Sequence, residues 1–178
     1  MARNPAIDVT RTEQPMIAAA IGQIEIAPVR FGDLRTVASL QKRSFSPRLA
    51  YSYPTLLFLH LMPGVRFLVA RTGDSIAGVA IGDRNRHESR VVNICTDPSS
   101  RRQGIATRLL RQLENELPTG DIILMAELEN VAARALYTKE GYAELGIIRN
   151  YYGRGKDGIW MQKTRTAGQN PTSTRETI

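Results

Sequence analysis

The segment Asp97-Pro98-Ser99-Ser100-Arg101-Arg102-Gln103-Gly104-Ile105-Ala106-Thr107-Arg108-Leu109-Leu110 joins two different patterns. The apolar run before it, Val91 to Thr96, reads as a buried strand. After it, Ile105, Leu109, Leu110, Leu113 and Leu117 recur at helical spacing and share one face. Strand, short loop and helix follow one another with Gly104 at the helix entrance. The first N–H groups of a helix have no partner inside it, and the helix dipole adds partial positive charge there. The spacing therefore predicts a site for a phosphate group, with Gly104 and Ala106 small enough for close approach.

Two common phosphate loops are excluded. No G-x-G-x-x-G follows the strand, and no G-x-x-x-x-G-K-[ST] occurs in the chain. Arg101-x-x-Gly104-x-Ala106 instead resembles the [Q/R]-x-x-G-x-[G/A] loop of the GNAT acetyltransferases, which holds the pyrophosphate of acetyl-CoA. An ordinary strand-loop-helix with solvated arginines would carry the same local pattern, so a second block matters. Residues 123–142 end in Ala133-Arg134-Ala135-Leu136-Tyr137-Thr138-Lys139-Glu140-Gly141-Tyr142, after Asn130. They resemble the strand, Asn, A-x-x-L-Y helix and G-Y turn of the same family. Arg149-Asn150-Tyr151-Tyr152, followed by Asp157 and Met161, is similar to the bacterial ribosomal-protein alanine N-acetyltransferases and the wider group that acetylates protein N-termini. The resemblance runs over residues 24–163 and is strongest over 91–163.

Composition bounds the rest. The 178 residues suffice for one domain with a core. No run of 18 apolar residues exists, and Met1 to Gln14 lack a hydrophobic signal core, so neither a membrane span nor secretion is expected. Cys95 is the sole cysteine, which excludes an intrachain disulfide and a cysteine metal site and fits a cytoplasmic protein. His60 and His87 stand in no metal-ligand spacing. The net charge of +7 suits CoA phosphates or a ribosomal surface. The arginines are scattered without interleaved aromatics, so no specific nucleic-acid site is expected.

Residues 1–22 are expected to be a loosely ordered arm, 23–163 the domain, and 164–178 a disordered tail. Within the domain the patterns predict a strand at Ile24 and Ile26, a helix from an Asp33 N-cap to before Ser46-Pro47, and a helix from Pro54 to Leu61. Strands follow at 66–71 and 76–81 around a Gly73-Asp74 turn. Then come a strand at 90–96, a helix at 105–117, a strand at 121–127, a helix at 131–140 and strands at 142–149 and 158–163. This β-α-α-β-β-β-α-β-α-β-β order is an α/β (α+β) pattern. It is the order of the GNAT fold, a mixed, splayed sheet of about seven strands with helices on both faces.

The resemblance implies acetyl-CoA as co-substrate, no metal, and roles for particular residues. Ile94, Cys95 and Thr96 would offer backbone groups to the pantetheine arm and the acetyl carbonyl. Arg101, Arg102, Gln103, Gly104, Ile105, Ala106 and Thr107 would cradle the pyrophosphate. Asn130 would cap the next helix, contact the cofactor, or both. Cys95 can equally be a small core residue. Tyr137 would be the general acid for the departing thiolate, since a phenol stays protonated near pH 7. Tyr151 and Tyr152 would line a peptide groove, one ring inward and one toward substrate, opposite a wall formed by residues 45–54.

One departure from the family concerns the base. Met125 stands where the ribosomal-protein enzymes carry glutamate, and it cannot accept a proton. Glu127 lies two residues on, facing the same side of a regular strand, and is the candidate base, directly or through water; Glu88 is a second candidate. A weak base favours an α-amine acceptor. Its pKa of about 7.7–8.0 against about 10.4 for lysine makes deprotonation roughly 3.5 kcal/mol easier. The expected activity is acetyl transfer from acetyl-CoA to a protein N-terminus in a ternary complex. A small-molecule amine or lysine acceptor, or a non-catalytic acyl-CoA-binding module, are the alternatives.

Overall fold

A computed structural model describes residues 24–84, 88–118 and 120–165. The arm expected at 1–22, and the tail beyond Arg165, lie outside the described residues. The chain runs β1 (Ile24–Pro28), α1 (Leu34–Ser44), α2 (Tyr53–Leu61), β2 (Arg66–Thr72), β3 (Ser75–Arg84), β4 (Ser89–Thr96), α3 (Ile105–Glu116), β5 (Ile122–Glu127), α4 (Val131–Lys139), β6 (Ala143–Ile148) and β7 (Gly158–Lys163). This is the element order expected from the sequence. The strands lie in one sheet, in the order β1-β2-β3-β4-β5-β7-β6. The β4–β5 pair is parallel and every other pair antiparallel, so the sheet is mixed.

Alternation along the strands feeds two cores, one on each face. Phe67 and Val69 of β2, with Val79 and Ile81 of β3, pack under Leu34, Val37 and Leu40 of α1 and Leu56 of α2. Leu68 and Ala70, with Leu124 and Ala126 of β5, pack under Ile105, Leu109, Leu110 and Leu113 of α3 and Tyr137 of α4. Helix α3 sits close on β3. A Cβ on Gly78 would stand 2.9 Å from Ile105 Cγ2 and Leu109 Cδ1, so only glycine permits this approach.

Two local expectations are corrected. Asp33 does not cap α1 with its side chain; a 3-10 turn, Phe31–Asp33, precedes the helix. The Asp33 carboxylate instead accepts from the Arg30 N–H at 2.8 Å and from Arg71 at 2.6 Å, the ion pair drawing it away from the cap. Helix α2 starts at Tyr53, one residue before Pro54, because Ser52 caps it through the Thr55 N–H. Among the described residues, no helix is long and apolar enough to cross a membrane.

Candidate active site

The sheet splits between β4 and β5. Their pairing covers only Ser89–Val91 against Ile122–Leu124. The cause lies on the other edge of β4. Ile81 pairs Asn93 and Gly82 pairs Val91, which leaves Val92 as an extra residue, a β-bulge that bends the strand away from β5. Beyond the bulge, Asn93–Thr96 and Met125–Glu127 turn backbone groups toward a gap without a partner strand. One of them is satisfied: Tyr152 Oη donates to the Met125 carbonyl at 2.8 Å.

A cleft of about 200 Å³ occupies the split. Val92 to Ile94 form one side, and Met125, Glu127, Asn130, Ala133 and Tyr137 the other. Phe45, Arg48, Leu49 and Tyr51, from the α1–α2 connection, and Tyr152 close it above. Asn130, Ala133 and Tyr137 reach it together because they lie three and four residues apart on one face of α4. The Asn130 side chain accepts from the Ala133 N–H at 3.1 Å, so it caps α4 while lining the cleft.

Tyr137 is 6% exposed, and burial raises its pKa above the ordinary phenol value, so it stays protonated. Its ring meets Tyr142 edge to face at 5.7 Å. Tyr142 in turn donates to Glu114 at 2.8 Å, and Glu114 pairs with Lys163 at 2.6 Å. This buried chain fixes the orientation of the Tyr137 ring. Met125 and Glu127 are both half-buried on the α1–α2 side of β5, as their two-residue spacing requires. Glu88 is not part of the cleft lining.

The tyrosine pair is not on a strand. Tyr151 and Tyr152 lie in the β6–β7 connection, after Asn150 at φ 56, so strand alternation does not apply. Their rings stack edge to face at 4.8 Å. Tyr152 is half-buried and lines the cleft; Tyr151 is 53% exposed. Gly158 makes room for them, since a Cβ there would stand 2.9 Å from Tyr151 Cβ and 3.0 Å from Met125 Sδ.

Cys95 turns its side chain into the α1–α2 core, where burial pushes its thiol up to about 12. Gln41 donates to Cys95 Sγ at 3.6 Å and to Asn93 Oδ1 at 2.7 Å, anchoring the bulged strand to α1. Only the backbone of Cys95 is therefore available to a ligand in the split. Asn93, inside an otherwise apolar run, was the one sign in the sequence of this buried anchor. The bulge itself has no sequence signature.

The loop after β4 is held at its start and open at its end. Asp97 accepts from the Ser99 hydroxyl and N–H and pairs with Arg43 of α1 at 2.6 Å; these bonds hold its carboxyl down at about 2. Arg102 and Gly104 take left-handed conformations, at φ 62 and 76. For Arg102 this costs about 1–2 kcal/mol. Among the described residues no side chain caps α3, and a Cβ on Gly104 would meet nothing within 4 Å. The first helical N–H groups are thus presented to open space. Uncapped N–H groups, left-handed turn residues and unpaired strand edges fit the pyrophosphate and the amide-bearing arm of acetyl-CoA.

The profile of the acetyltransferase (GNAT) domain matches residues 63–144. An N-alpha-acetyltransferase of Mycobacterium tuberculosis is 33% identical over 106 residues, 57% of this chain and 67% of that protein. This chain belongs to the GNAT acetyltransferases. The ribosomal-protein-S18-alanine N-acetyltransferase of Escherichia coli superposes with a TM-score of 0.73 at 27% identity, covering 84% of this chain and 99% of that one. The PaiA N-acetyltransferase of Thermoplasma acidophilum, solved with coenzyme A, shares the fold at a TM-score of 0.68 and 18% identity, over 80% and 99% of the two chains. The protein is an N-acetyltransferase with acetyl-CoA as its acyl donor.

Proposed function

We propose that this GNAT enzyme acetylates the N-terminal α-amine of a protein or peptide in the cytoplasm, by direct attack in a ternary complex. The observation that carries the reading is the cleft itself. It joins a buried, protonated Tyr137, a carboxylate at Glu127 and a tyrosine-walled opening suited to an extended peptide.

Acetyl-CoA supplies an activated thioester. In our reading the N–H groups of Gln103–Thr107 hold its pyrophosphate, with Arg101 and Arg102 adding charge. The backbone of Ile94, Cys95 and Thr96 aligns the arm, and Asn130 contacts it from the α4 start. Glu127 takes the proton that the amine loses as its C–N bond forms, directly or through one water. Tyr137 gives its proton to the sulfur as the C–S bond breaks, which leaves the amine acetylated, as an amide, and a free thiol. Tyr152 and residues 45–54 hold the acceptor chain, with Tyr151 at the rim. Met125 withholds a first base, so the acceptor must part with its proton readily. An α-amine does so about 3.5 kcal/mol more easily than lysine. The names of the M. tuberculosis and E. coli relatives support the same acceptor class, and a ribosomal protein is one candidate substrate.

The test is mass spectrometry of transfer to a peptide pool holding free Ala, Ser and Met N-termini beside N-blocked peptides with lysine. Acetylation confined to free N-termini is expected. Transfer to lysine alone, or to none of the peptides, contradicts the reading.

A further inference from the structure

We infer that the acceptor groove selects N-termini carrying an acidic side chain within their first few residues, through Arg48 and Arg154. The inference rests on the α-amine reading above and names the class of peptide that the site takes. Outward from Glu127 the cleft opens into a second cavity of about 490 Å³, between the α1–α2 and β6–β7 connections. Arg48, Arg154 and Lys156 line it, against the single carboxylate of Glu127. Arg48 also lines the inner cleft, and its Nη1 lies 3.1 Å from where a Cβ on Gly153 would stand, so its guanidinium reaches across to the β6–β7 connection.

The charges are not equally available. Lys156 is paired with Glu129 at 2.6 Å. Among the described residues, Arg48 and Arg154 stand in no ion pair. The groove is therefore polarised, with Glu127 at the reacting end, the Arg48 guanidinium spanning both cavities and that of Arg154 in the outer one. A peptide entering with its amine first meets the opposite order when its next side chains are Asp or Glu. At about 3.3 Å per residue, the second and third positions follow directly behind the amine. Planar guanidinium groups pair bidentately with carboxylates, and Lys or Arg at the same positions would meet like charge. Selection then comes from attraction and repulsion together.

The experiment compares kcat/KM for four peptides: Ala-Asp-Glu, Ala-Arg-Lys and Ala-Ser-Gly starts on a common neutral body, and the neutral start with Asp-Glu placed ten residues away. N-blocked lysine peptides accompany them. The acidic start is expected to exceed the basic one at least tenfold in low salt. The gap should narrow in 0.5 M NaCl, where screening acts over about 4 Å. The Arg48→Glu/Arg154→Glu double variant should invert the order, and the Lys replacements should retain part of it. Both side chains are exposed, and thermal melts check that the variants fold. Three results would overturn the preference while leaving the α-amine reading in place: equal rates on acidic and basic starts, a preference that survives charge reversal, or full benefit from the distant acidic pair. Transfer only to lysine of the blocked peptides overturns both.

Discussion

In the proposed mechanism Tyr137 and Glu127 carry different halves of the chemistry, so their variants should fail differently. Removing a general acid typically costs two to four orders of magnitude. Tyr137→Phe keeps the buried ring and its edge contact with Tyr142, so we expect kcat to fall about 100-fold with little change in acceptor KM, read by steady-state kinetics. Glu127→Gln should cost most at low pH, where the α-amine is mainly protonated, and least above its pKa of about 8. Full rate from pH 6 to 9 in that variant would remove Glu127 from the mechanism. Because burial raises the Tyr137 pKa, no loss of its proton should appear as a falling limb below pH 10. The place of Tyr137 and Glu127 in the cleft lining was legible in the sequence, the first from A-x-x-L-Y and the second from its two-residue spacing to Met125. Arg48 and Arg154 were not, since exposed arginines look alike until two loops meet.

In the proposed reading the loop ahead of α3 and the bulge in β4 set the cofactor geometry. Gly104 at φ 76 has open space around its missing side chain. Gly104→Val should therefore lower stability only by the backbone cost of about 1–2 kcal/mol. It should weaken coenzyme A binding by tenfold or more, because the new side chain stands where phosphate must approach. Calorimetric titration beside a thermal melt separates the two effects. Element positions were readable because the apolar patterns are strong: Ile105, Leu109 and Leu113 mark α3 at helical spacing, and the unbroken apolar run Ile122 to Ala126 marks β5. The sequence placed the tyrosine pair between the last two strands, where it lies, but expected its rings to alternate as on a strand; Asn150 at φ 56 turns the chain before it reaches them. The bulge at Val92 depends on the register between β3 and β4, which no local pattern records.

The whole molecule stores several neutral groups that resist ionisation. Tyr51, Tyr137, Tyr142, Tyr152 and the Cys95 thiol all have raised pKa values, with burial as the leading cause. In the unfolded chain they ionise near their ordinary values, about 8.5 for cysteine and about 10 for tyrosine. Their stabilising effect is complete below those values and is lost as pH rises above them. The melting temperature should therefore fall progressively from about pH 9, and Cys95 should react with thiol reagents only as fast as the protein opens. In the proposed reading the split sheet, two cores and open helix start together form an acetyl-transfer site between β4 and β5, and a crystal structure with a CoA–peptide bisubstrate conjugate tests this most directly. The account predicts pyrophosphate on the N–H groups of Gln103–Thr107, the sulfur within hydrogen-bonding distance of Tyr137 Oη, and the peptide leaving between Arg48 and Tyr152. A conjugate whose sulfur lies away from Tyr137, or whose peptide leaves by another route, would contradict it.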